Sequence, residues 1–175
     1  MITGQRDQIA KSSNEIKQRI QATQSDNQTG NQNHMSQAVE VPEGYVPIIM
    51  VEAFTSRIGP IYSRQTGENI QIGFRVEKSH LNIEEVVHGG MLATVADQAI
   101  GINIAHGTGS EYDVLTMHLS VDYIGPAYLG DWVEATAKLT KQGGKIRFGN
   151  CELRVEDRLV LTGSAIFVAR QTKRK

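Results

Sequence analysis

Val86–Ala105 reads VVHGGMLATVADQAIGINIA, a stretch in which His88 and Asp97 are the only ionisable side chains. Met91, Leu92, Val95, Ala99 and Ile102 recur at helical spacing and make an apolar stripe fit to lie on a sheet. Gly90, Ala93, Thr94, Asp97 and Gly101 make a second stripe, small residues around one carboxylate. Small residues let another backbone or a ligand come close. A carboxylate on such a face is costly to bury unless it is hydrogen-bonded or functional. Glycines and polar groups interrupt the run too often for a membrane span. The spacing predicts one long helix over about 89–105.

On either side of this helix the pattern is that of strands. Upstream, Gly59-Pro60 breaks the chain, Ile61-Tyr62 opens a strand and Thr66-Gly67-Glu68-Asn69 turns it. Ile72, Phe74 and Val76 then alternate with Gln71, Arg75 and Glu77, as in a half-buried strand. Downstream, four strand-like runs over about 113–124, 130–141, 145–156 and 159–170 are separated by Gly125-Pro126, Gly143-Gly144 and Glu156-Asp157. Two strands, a helix and four strands give an α+β order with an antiparallel sheet. One face of that sheet needs an apolar cover, and the helix at 89–105 is the long element available. An antiparallel β-sheet wrapped around one long central helix is the hotdog fold.

Residues 41–175 form this domain, and residues 1–40 differ in kind. Positions 21–34 are almost devoid of apolar side chains and cannot offset the entropy of ordering, so disorder is expected there. Ser12 and Glu15 form a capping box ahead of Ile16 and Ile20, enough for a marginal helix over about 13–22. Met35 reads as a natural domain start, which makes 1–34 a dispensable extension. The whole chain has 175 residues, 18 basic and 19 acidic, for a net charge of -1. That balance favours neither nucleic acid nor an anionic membrane as partner. The five histidines lack metal-ligand spacing, and the single cysteine, Cys151, excludes an intrachain disulfide. Cys151 sits in an apolar/polar alternation, as a small strand residue does. The polar start, without a signal peptide, and the lone cysteine suit a reducing cytoplasm.

At the helix start, His88-Gly89-Gly90 leaves backbone N–H groups free and unscreened by side chains. With the helix dipole, they suit a developing oxyanion. The same glycines equally serve a plain strand-to-helix turn, and pattern alone leaves both readings standing. Gly89 and Asp97 are eight residues apart, about 12 Å of helical rise. One carbonyl cannot touch both on one helix. If both act on one substrate, Asp97 comes from a second chain, which two antiparallel helices around a two-fold axis would supply.

Asn82, the run His88-Gly89-Gly90-Met91-Leu92-Ala93-Thr94, and Ala96-Asp97 together resemble the signature of the phenylacetate-pathway-type hotdog thioesterases. Leu119-Ser120-Val121-Asp122-Tyr123-Ile124-Gly125-Pro126-Ala127 is similar to a strand and turn of the same family, and the likeness spans about 45–170. The resemblance implies a thioesterase acting on an aryl- or medium-chain acyl-coenzyme A. In it Asp97 is general base or nucleophile and the Gly89 N–H is the oxyanion donor. His88 shapes the loop, Asn82 orients water or the carbonyl, and Thr116 is a hydroxyl near the carboxylate. It also implies a homodimer, assembled as a dimer of dimers, and chemistry that needs no metal or cofactor. Where the family often has glycine, three residues after the asparagine, this chain has Glu85.

Lys141, Lys145 and Arg147 flank the Gly143-Gly144 turn and are candidates for the coenzyme A phosphates, although basic residues on a hairpin also serve as a solvated edge. Acyl carrier protein stays open as the thiol carrier. Two other functions stay open as well: a non-catalytic acyl-coenzyme A-binding module, and a hotdog dehydratase or hydratase. The first does not need Asp97, and the second needs a histidine–carboxylate pair that one helix does not provide.

Overall fold

The computed structural model describes residues 40–48, 54–108 and 112–171. Apart from Glu40, the extension expected over 1–40 lies outside the described residues. Seven strands and one long helix follow in the order β1 (Val46–Pro47), β2 (Tyr62–Thr66), β3 (Asn69–Arg75), α1 (Gly89–His106), β4 (Tyr112–Tyr123), β5 (Trp132–Lys141), β6 (Ile146–Val155) and β7 (Arg158–Gln171). Short 3-10 helices, Phe54–Arg57 and Lys78–His80, sit in the connections. The strands form one antiparallel sheet in the order β1-β2-β3-β5-β6-β7-β4.

α1 lies across the sheet and packs on β3 to β7. Met91, Leu92, Val95, Ala96, Ala99, Ile100 and Ile104 are buried on it, over Ile72, Phe74, Val133, Ala135, Leu153, Leu161 and Phe167 of the strands. Each large apolar side chain so covered contributes about 1.5–3 kcal/mol. In β5 the buried positions are Val133, Ala135 and Ala137, small enough for the helix to approach closely. Ile102, assigned by its spacing to the buried stripe, is only half-buried, and Ile100 takes the deeper place.

Two polar side chains, His80 and Asn103, are buried among the described residues, and the second ties the helix to the sheet. Asn103 is buried on α1. Its Oδ1 accepts the Ile70 N–H at 2.8 Å, and its Nδ2 donates to the Ile70 and Ala99 carbonyls at 2.8 Å each. The pairing of β3 with β5 begins only at Ile72, so the amide replaces the missing strand neighbour of Ile70. That bond set pins the helix to the sheet.

β4 is the outermost strand beyond β7, twelve residues long, with one edge unpaired among the described residues. Its register with β7 shifts between Thr116 and His118. β1, at the opposite edge, has two residues. Among the described residues no helix is long and apolar enough to cross a membrane.

Candidate functional site

His88 closes the N-terminus of α1. Its Nδ1 accepts the Gly90 N–H at 2.9 Å, and its carbonyl accepts the Met91 and Leu92 N–H groups at 2.9 and 3.3 Å. The imidazole thus does the work that serine or aspartate does at other helix starts. A Cβ on Gly90 would lie 3.0 Å from that Nδ1, so this glycine makes room for the cap. The Gly89 N–H, first in the helix, has no acceptor among the described residues and stands at the positive end of the dipole.

Two residues that sequence reasoning left without a role hold this turn. Tyr123, at the end of β4, donates its hydroxyl to the Gly89 carbonyl at 3.0 Å, and a Cβ on Gly89 would lie 3.2 Å from its ring. His80 is buried against Phe74. Its Nδ1 accepts the Glu77 N–H, which leaves the proton on Nε2 to be donated to the Ile58 carbonyl, and its own carbonyl accepts the His88 N–H at 2.8 Å. The sequence signal for His80 was an isolated histidine two residues ahead of an asparagine-led loop. Tyr123 gave none, because a tyrosine at a strand end is ordinary.

Asn82 leads the loop into the helix. Its Oδ1 accepts the Glu84 and Val86 N–H groups at 2.9 and 3.3 Å, an Asx turn. The oxygen is thereby committed to the fold, and Nδ2 is the atom left to face a ligand, with no acceptor among the described residues. Within this loop Glu85 has φ +59°, the left-handed region that glycine adopts freely. The position where the resembling family often has glycine is thus one whose backbone asks for it.

Asp97 lies two turns further along α1, half-buried, on the side facing β4. Thr116 Oγ1 donates to its Oδ1 at 2.8 Å. The bulge that follows Thr116 is a device for aiming a side chain out of strand alternation. The structure therefore brings Asp97 and Thr116 together, and separately brings the Asn82 loop, His88 and Gly89 together at the helix start. Within one chain the two groups stay about 12 Å apart along the axis.

The basic residues are elsewhere. Lys141, Lys145 and Arg147 sit on the β5–β6 hairpin, beside the C-terminal end of α1, where a Cβ on Gly107 would lie 3.4 Å from Gln142. Lys141 Nζ stands 5.7 Å over the Phe148 ring, and Arg147 Nε donates to the Gly144 carbonyl at 2.9 Å. In the same chain they are a helix length from Gly89, about 27 Å.

Residues 84–162 match the family model described as the thioesterase superfamily. A Pseudomonas aeruginosa protein named as an esterase is 30% identical over 130 residues, 74% of this chain and 97% of that protein. The chain belongs to the thioesterase superfamily. Mouse acyl-coenzyme A thioesterase 13 is 28% identical over 106 residues, 61% of this chain and 72% of its own length. A hypothetical thioesterase of Streptococcus pneumoniae, solved with coenzyme A, shares the fold with a TM-score of 0.58 and 19% identity, covering 65% of this chain and 88% of that one. Membership in the superfamily, together with relatives named as an esterase and an acyl-coenzyme A thioesterase, makes the chain a thioester hydrolase of the hotdog fold.

Proposed function

We propose that this thioesterase hydrolyses an aryl- or medium-chain acyl-coenzyme A as a two-fold dimer, each site built from both chains. The observation that carries the reading is the separation of two complementary half-sites on one helix. One is an uncommitted Gly89 N–H at a capped N-terminus, and the other is an Asp97 carboxylate aimed by Thr116. Antiparallel pairing of two α1 helices across their small-residue faces places one chain's Gly89 against the other's Asp97.

The chemistry then has defined parts. The thioester carbonyl oxygen sits on the Gly89 N–H, where removing such a donor typically costs about 100- to 1,000-fold in rate. Asp97 accepts a proton from the attacking water, or attacks the carbonyl itself and forms an anhydride that water opens. The Asn82 Nδ2 orients the water or the carbonyl, and His88 keeps the donor loop in shape. The coenzyme A thiolate leaves and takes up a proton.

The unpaired edge of β4 supports the dimer. Leu115 and Met117 are 42% and 62% exposed on it, a long apolar edge that a second copy would cover. Leu115, Val168 and Ile146, with Ile166 and Phe148 beside them, line one end of the outer sheet face in register. A dimer of dimers would bury that patch. An antiparallel helix pair also carries the basic hairpin of one chain toward the Gly89 of the other, where Lys141, Lys145 and Arg147 would meet the coenzyme A phosphates.

The test is release of free thiol from a panel of acyl-coenzyme A esters, with Asp97→Asn alongside. Turnover that falls at least 100-fold in the variant, with folding and dimer formation retained, is the expected result. Equal turnover in the two proteins would remove Asp97 from the mechanism.

A further inference from the structure

Gly90, Thr94 and Gln98 form a row at one-turn spacing along α1, its first two residues shared with the small-residue stripe. The segment Phe54–Ile61 runs beside that row and leaves two cavities. One, of about 210 Å³, lies between Phe54 and Ile58 and the helix start at His88, Gly90 and Thr94. The other, of about 340 Å³, lies further along, between Ile48, Pro60, Ile61 and Gln98.

Gln98 is out of place in this wall. Its Oε1 is buried and has no hydrogen-bond partner. An amide oxygen taken out of water and left unmatched is a cost that leucine or methionine would not carry at this position. The distance is also informative. Gln98 stands about 12 Å along the axis from Gly90, and with C–C bonds of ~1.5 Å an extended chain of roughly eight to ten carbons spans that gap.

We infer that Gln98 is a specificity-determining residue that hydrogen-bonds a hydroxyl near the far end of a medium-length acyl chain. The inference rests on the reading above that the acyl carbonyl sits at Gly89. From there the tail passes Thr94 between the helix and Phe54–Ile61 and ends in the second cavity. A hydroxyl suits the site because it satisfies the amide in either orientation. The rest of the wall is mixed: Ile48, Pro60 and Ile61 serve the methylenes, and Thr55 and Ser56 add hydroxyls beside Gln98 at the closed end.

The test compares 10-hydroxydecanoyl- with decanoyl-coenzyme A in the full chain, for the wild type and Gln98→Leu. The affinities of the corresponding unhydrolysable thioethers are measured in parallel by calorimetry. The wild type is expected to favour the hydroxylated member at least about tenfold, mainly through KM. Gln98→Leu is expected to abolish or reverse that preference while keeping kcat on the decanoyl ester. Absence of hydrolysis with a tenfold affinity difference that Gln98→Leu removes would sink the thioesterase reading and leave Gln98 as the hydroxyl reader. Equal thioether affinities in the wild type, or a preference that survives in Gln98→Leu, overturns the inference and leaves Gln98 served by water alone.

Discussion

Glu85 holds a left-handed backbone, φ +59°, in the loop that Asn82 organises, and its side chain is exposed. A non-glycine residue there costs roughly 1–2 kcal/mol, part of which glycine would give back as unfolded-state entropy. Glu85→Gly is therefore expected to stabilise the chain by roughly 0.5–1 kcal/mol, read as a higher urea midpoint at unchanged slope; a lower midpoint would mean that the glutamate makes a compensating contact. Cys151 behaves as its strand pattern suggested. It is buried on β6, and burial, helped by the charge of Glu152, pushes its thiol up to about 12. Asp97, Gly89, Asn82 and His88 were legible as candidates by their spacing, and the structure brings Asn82, His88 and Gly89 to the helix start and sets Asp97 beside Thr116. Gln98 was not, since a glutamine next to an aspartate on a helix normally faces solvent. Its burial depends on the segment Phe54–Ile61, which tertiary packing sets beside it.

At the scale of elements, α1 was legible almost to the residue. Glycine opens it, Gly107 follows its end, and its apolar positions repeat with the helical period. The four long strands were legible for the matching reason, alternation between turns marked by Gly125-Pro126, Gly143-Gly144 and Glu156-Asp157. β1 and the two 3-10 helices were not, because two to four residues contain no period to read. Asn103 escaped notice because it interrupts the apolar stripe, and its value lies in a strand 33 residues away. Asn103→Leu keeps the branch at Cγ in a larger side chain and leaves the half-buried Ile70 N–H and carbonyl without the amide that serves them. A loss of roughly 2–4 kcal/mol in denaturant-unfolding free energy is expected. A loss under about 0.5 kcal/mol would show that water takes over those bonds.

For the molecule as a whole, two acidic groups have pKa values raised by the fold and make its stability fall with rising pH. Tyr45 is displaced upward by burial and by its 2.6 Å bond to Glu134, as Cys151 is by burial. Each keeps its proton in the folded chain at a pH where the unfolded chain has released it. Their contribution is full below the unfolded thiol's pKa of ~8.5 and is lost as pH rises toward the folded values. The urea midpoint should fall from pH 8 to pH 10.5, and less steeply in Cys151→Ala; a flat profile would show that neither group is displaced. The dimer stands or falls on a different measurement. Gly89→Pro removes the proposed oxyanion donor while proline remains acceptable at the first helical position, and Tyr123, 55% exposed, has room to yield to the ring. Asp97→Asn removes the carboxylate from the other half-site. Each variant alone is expected to be inactive. Denatured together in equal amounts and refolded, they should recover about a quarter of wild-type thioester hydrolysis, because half the dimers then hold one intact site of two. A mixture as inactive as its parts, with mixed dimers demonstrably formed, would contradict a site shared between chains.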